Sequence, residues 1–132
     1  GQTRLARDVL QRVVGRYLAR QHEVTTALAE LADCARSAAG VLAEGDLDRL
    51  APIIREVWGL HQRLDPHCSN PKVDALLRHA GGDDAQAWKL AGAGGGGFAG
   101  ILCPDGQAAD RVRARLRAAG NGVLVPTWKL AI

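Results

Sequence analysis

Between Lys89 and Cys103 the chain reads KLAGAGGGGFAGILC, in which Gly92 and Gly94 to Gly97 leave a stretch of almost bare main chain. On either side stand short apolar segments bounded by breakers, AWKLAG (Ala87 to Gly92) and GFAGILC (Gly97 to Cys103), the pattern of buried strands. Gly92 to Gly97 satisfies GxGxxG, but a dinucleotide fingerprint needs a helix after the glycines, and a P-loop needs Gly-Lys-Ser/Thr. Neither follows here, so the helix N-terminus that would hold phosphate is missing. What remains is strand, loop, strand, with a loop free to take positive φ and to approach another backbone or an anion closely. The competing reading is a flexible hairpin turn. Flexible linkers usually mix in serine and lack flanking strands.

Upstream the periodicity is helical. Leu5/Ala6, Val9/Leu10, Val13/Val14 and Tyr17/Leu18 recur every four residues as a broad apolar stripe, with Arg12, Arg16 and Arg20 on the other side. A second stripe runs from Val24 through Leu28, Leu31, Ala35 and Ala38 to Leu42 and stops at Gly45. A third, Leu47 to Leu64, is expected to open with Asp46 as N-cap and to show a kink or a one-turn preface at Pro52. Asn70-Pro71 pairs a cap with a first-turn proline and opens a short helix that Gly81-Gly82 ends. Past the strands, Pro104-Asp105-Gly106 turns the chain into another helix, with Ala109, Val112, Leu116 and Ala119 on one face, that Gly120-Asn121-Gly122 ends. A last strand, Val123 to Trp128, holds Pro126 and belongs at an edge. The expected class is α+β: about four helices packed on a small sheet in β-β-α-β order.

Length and charge narrow the function. With 132 residues the chain suffices for one domain with its own core. The net charge of +3 is spread along the chain, without the clustered basic face that nucleic acid requires. Arg111, Arg113, Arg115 and Arg117 alternate, which spreads them around a solvated helix instead of making one basic stripe. No apolar run reaches the roughly 20 residues of a membrane span, and the start lacks a secretory core. Three cysteines are too few and too scattered for a disulfide framework. These features predict a soluble chain in a reducing compartment, the cytoplasm, with no nucleic-acid or membrane partner.

Single residues carry two readings each. His61, His67, Cys68 and His79 are near in sequence but lack the paired spacings of a zinc site, and His61 reads as a partly buried core histidine. Cys34 and Cys103 read as core thiols. Trp58 either stacks on a sugar or belongs to a core or interface. Lys89 points into a cleft or lies on the wet face.

Together GQTRLARDVL (Gly1 to Leu10), Trp58, LDPHCSNPKV (Leu64 to Val73) and WKLAGAGGGGF (Trp88 to Phe98) resemble the C-terminal end of L-fucose kinases. Those enzymes belong to the galactokinase, homoserine kinase, mevalonate kinase and phosphomevalonate kinase (GHMP) superfamily, and the glycine segment resembles its third motif. The resemblance implies an incomplete ferredoxin-like GHMP C-terminal domain over residues 1–132. It also implies a parent enzyme that uses ATP and Mg²⁺ to phosphorylate the anomeric hydroxyl of L-fucose. Gly92, Ala93, Gly94, Gly95, Gly96 and Gly97 carry over as the motif that borders sugar and γ-phosphate. Thr3 and Arg4 carry over as sugar or phosphate contacts, since an arginine fork suits bidentate phosphate binding; the other reading is a capping threonine and a solvated arginine.

The sequence shows no counterpart of the family's Gly-Ser nucleotide loop or of its catalytic acid. The expectation is therefore a fragment, inactive alone, that works with an N-terminal kinase domain of the same protein. An incomplete sheet also invites self-association through an unpaired strand. A related heptose kinase and a non-catalytic interaction module that retained the fold remain the alternatives.

Overall fold

The computed structural model describes residues 3–92 and 98–119. In chain order these form α1 (Thr3–Leu18), α2 (His22–Glu44), a 3-10 turn (Leu47–Arg49), α3 (Leu50–Leu64), a 3-10 turn (Pro66–Cys68), α4 (Pro71–Gly81), β1 (Ala87–Leu90), β2 (Ala99–Leu102) and α5 (Gly106–Ala118). The class is α+β, with β1 and β2 antiparallel in the register Ala87 to Leu102 through Leu90 to Ala99. The expected third strand, Val123 to Trp128, lies outside the described residues, as does the glycine terminator after α5.

Local chemistry sets the boundaries. Asn70 accepts hydrogen bonds from the N–H groups of Lys72 and Val73, and Pro71 fills the first helical position, where no N–H is needed. Asp105 does the same for α5 by accepting from the N–H of Ala108 at 2.8 Å. Leu47–Arg49 is the one-turn preface to α3, and Pro52 then sits in the first turn of the helix, where its missing N–H costs nothing. Asp46 does not cap as expected. Its backbone carbonyl takes the N–H of Arg49, and its side chain makes no cap bond, because the tight first turn satisfies the donors itself. Gly82 closes α4 at φ 49°, ψ −135°, a conformation that side chains resist.

The core runs through the molecule as linked clusters. Val24, Ala27 and Cys34 of α2 meet Leu60 and Leu64 of α3, with Val13 of α1 against them. On the next side of α3, Trp58 joins Cys68, Leu77 and Leu90, and Trp88 and Ile101 pack on that group. Ala80 then meets Val112 and Leu116 of α5. Thus α3 is shared by the helical half and the sheet half, and Trp58 is a core residue, 8% exposed.

The α1 stripe departs from expectation. Among its described side chains Val9 is buried and Ala6 and Val13 partly so, while Leu10, Val14, Tyr17 and Leu18 face out. Arg12 and Arg16, expected on the outer side, reach inward instead, because the turn after α3 offers them acceptors.

Candidate functional site

β1 lies along α3 in the same direction. Arg55 of α3 donates Nη1 to the carbonyl of Gln86 at 2.6 Å, and further along α3, His61 feels the charge of Lys89. A helix rises 1.5 Å and a strand about 3.3 Å per residue, so six residues of α3 match three of β1. The glycine turn therefore leaves β1 toward the C-terminal end of α3. Its mouth is closed by a hydrogen bond from the N–H of Ala91 to the carbonyl of Phe98 at 2.9 Å. Gly92 enters the turn at φ 67°, the left-handed conformation that glycine takes without strain. Phe98 leaves it 75% exposed. Ala93, Gly94, Gly95, Gly96 and Gly97 lie outside the described residues.

At that same end of α3 sits Asp65, 2% exposed and the one buried charged residue among those described. Its Oδ2 accepts from Arg12 Nε at 2.5 Å. Its Oδ1 accepts from the backbone N–H of His67 at 2.8 Å and lies 2.9 Å from His67 Nδ1. Burial alone pushes the Asp65 carboxyl up, but the bonds from Arg12 and His67 outweigh it and hold the group below its ordinary value. Arg16 adds a bond to the carbonyl of Leu64 at 2.7 Å and pairs with Glu23 at 3.0 Å. Helix α1 is thereby clamped to the end of α3. Thr3 and Arg4 occupy the first turn of α1, the helix that Arg12 and Arg16 clamp to the end of α3.

Lys89 donates its Nζ to the carbonyl of Leu90 at 3.1 Å, half-buried beside α3. Together with Arg55 on Gln86, it occupies the carbonyls at both ends of β1. His61 is the half-buried histidine expected, its ring pushed toward the neutral form by burial first and by Lys89 second. Its ring centroid lies 6.3 Å from that of Trp58.

All three cysteines are free, and burial raises each thiol; Cys68, also facing Asp65 and Asp74, is pushed up to about 11. Among the described residues, no three His, Cys, Asp or Glu side chains come together to hold a metal ion. A groove of about 330 Å³ opens between α3, α4 and β1, lined by Arg55, Trp58, Gln62, Asp74, Arg78 and Trp88 among others.

Sequence reasoning missed two arrangements. One is Asp65, although Asp65-Pro66 repeats the cap-then-proline pattern of Asn70-Pro71 and could have been read the same way. The other is Asp84, whose Oδ1 takes Nε and Nη2 of Arg111 at 2.9 and 2.6 Å and whose Oδ2 takes Arg115 Nη2 at 2.7 Å. The alternating arginines of α5 are thus partly a fastening to the turn after α4.

Residues 35–122 match the family model for the GHMP kinases C terminal. A bifunctional fucokinase/GDP-fucose pyrophosphorylase of Arabidopsis thaliana is 41% identical across the whole chain. An L-fucokinase/L-fucose-1-P guanylyltransferase of Bacteroides fragilis is 27% identical over 86% of it. The chain spans 12% of the length of each of these relatives. The matched span runs from α2 through the glycine turn and past α5, and it takes in Asp65 and Asp84. With that span and an identity of this size over its full length, the chain belongs to the GHMP kinase C-terminal family and is related to the fucokinases.

Proposed function

We propose that this chain is the substrate-side part of a sugar kinase that transfers the γ-phosphoryl group of ATP to the anomeric hydroxyl of L-fucose. The observation that carries the reading is the glycine turn, held by paired strands at the clamped end of α3, in a chain 41% identical to a protein named as a fucokinase. Phosphoryl transfer is mainly positioning and charge stabilisation, and main-chain N–H groups without side chains can approach phosphate oxygens closely. Gly92, Ala93, Gly94, Gly95, Gly96 and Gly97 supply that surface. Thr3 and Arg4 supply a hydroxyl and a cation to sugar or phosphate.

Mg²⁺ would neutralise phosphate charge in such a reaction, and the part proposed for this chain is to position the reacting groups. ATP and the metal then depend on an N-terminal kinase domain of the same polypeptide, of which residues 1–132 form the C-terminal unit. Three free thiols suit a reducing compartment such as the cytoplasm, and no described helix is long and apolar enough to cross a membrane. A further strand, from another copy or another part of the chain, would extend the sheet at the outer edge of β2.

The test is ATP-dependent phosphorylation of L-fucose and of heptoses by the longer polypeptide and by the isolated 132-residue chain. Fucose turnover by the first and none by the second supports the proposal. Turnover by the isolated chain overturns the division of labour, and a heptose preference overturns the sugar.

A further inference from the structure

Helix α1 has two working faces, and the clamp uses only one. On the inner face Val9 is buried, Val13 packs on the core of α2 and α3, and Arg12 and Arg16 hold Asp65 and the Leu64 carbonyl. On the outer face Leu10, Val14, Tyr17 and Leu18 are 55%, 52%, 51% and 74% exposed. Their spacing places them on one side of the helix, one above another. The helix cannot roll this apolar side inward, because doing so would pull Arg12 from a buried carboxylate. A run of large side chains held outward in this way marks an interaction surface.

We propose that the outer face of α1 docks in cis on an apolar, acid-rimmed surface of the kinase portion of the same, longer polypeptide. Three observations select this occupant over a second copy. In both relatives the matched region is 12% of the chain, so most of the polypeptide lies outside it and is tethered to it. The stripe is a patch on the order of a few hundred Å², whereas a standing dimer needs about 800 Å² from each partner. A tethered surface meets it at an effective concentration in the millimolar range, where so small a patch suffices. Charge points the same way: Arg7, exposed and one turn before Leu10, has no ion-pair partner among the described residues, so a carboxylate on the docked surface would complement it. Two copies of this face would bring Arg7 no such partner from α1, whose one acid, Asp8, lies on another side of the helix.

The proposal rests on the reading of this region as part of a longer kinase, and its test avoids turnover, so a different sugar or an inactive enzyme leaves it decidable. Hydrogen exchange of the α1 amides would be compared between the isolated 132-residue chain and the longer protein. The expected result is at least tenfold slower exchange in the longer protein, abolished there by Val14→Glu and weakened by Arg7→Glu. In the isolated chain Val14→Glu leaves the melting temperature unchanged, and sedimentation shows a monomer. Equal exchange in both proteins overturns the proposal. So does an isolated chain that dimerises until Val14→Glu is introduced, since the occupant is then a second copy. Unfolding of the isolated chain by Val14→Glu also overturns it, because the face would then belong to the core.

Discussion

Arg12 and Asp65 meet at 2.5 Å across 53 positions of sequence, and the Asp65 side chain is 3% exposed while that of Arg12 is 43% exposed. The burden of burial is therefore unequal. Arg12→Ala leaves a buried charge with His67 alone to answer it and should cost about 3 kcal/mol or more. Asp65→Asn removes the charge, keeps the shape and releases Arg12 to water, so about 1 to 3 kcal/mol is expected. Denaturant melts of the two variants test the order; a larger loss in Asp65→Asn would contradict it.

Acid should destabilise the protein in two separable steps. His61 is held below its ordinary 6.5, so the unfolded chain takes up that proton first, and stability present above 6.5 declines as pH falls below it. Asp65 is held below its ordinary 3.8, so its contribution is present above that value and disappears as pH drops through the lower value of the folded state. The upper step should vanish in His61→Gln and the lower step should shrink in Asp65→Asn. Stability measured from pH 8 to pH 2 in each variant gives the answer.

Arg115 serves more than one acceptor. Its Nε bonds the carbonyl of Ala80 at 2.7 Å, and its Nη2 reaches the carbonyl of Gly81 and the carboxylate of Asp84. A lysine keeps the charge but cannot present a fork, so Arg115→Lys should cost about 1 to 2 kcal/mol by loss of directed bonds. Asp84, held at about 2 by Arg111 first and Arg115 second, keeps its charge far into acid. Asp84→Asn should lower the melting temperature slightly, and added salt should shrink the difference. A salt-independent difference would argue against the ion pairs.

Backbone conformation makes opposite predictions at the ends of two helices. Gly82 sits at φ 49°, ψ −135°, so Gly82→Ala should destabilise by about 1 to 3 kcal/mol. Arg20, at φ 52°, is the one described residue other than glycine with a positive φ. Arg20→Gly should relieve about 1 kcal/mol of strain, less what glycine adds to the freedom of the unfolded chain. Calorimetry that showed a lower melting temperature for Arg20→Gly would contradict this.

Much of the fold was legible because periodicity and caps act locally. The stripes from Val24 to Leu42 and from Leu47 to Leu64 are α2 and α3, Pro52 marks the 3-10 preface, and Asn70-Pro71 and Asp105 start helices where a cap pattern says they must. The hairpin around the glycines was legible for the same reason. Longer-range facts were not. Periodicity along α1 shows how wide an apolar stripe is but not which half of it packs, so Leu10 and Val14 were grouped with Val9 and Val13. No local signal joins Arg12 to Asp65, or Arg111 and Arg115 to Asp84, because charge pairs between distant elements exist only once those elements have packed. Of the candidate glycine segment, the described residues are Gly92 and the flanking strands, joined at the mouth of the turn by the bond from Ala91 to Phe98. Asp65, which fastens the neighbouring helix, was hidden in an Asp-Pro pair that reads like any turn.

The two cations on β1 have a consequence for assembly. With Arg55 on the Gln86 carbonyl and Lys89 on the Leu90 carbonyl, two acceptors at the ends of β1 are occupied by the protein's own side chains. A strand arriving beside β1 would have to displace both of these bonds. Two residues that need take no part in any reaction thus make runaway stacking costlier at that margin.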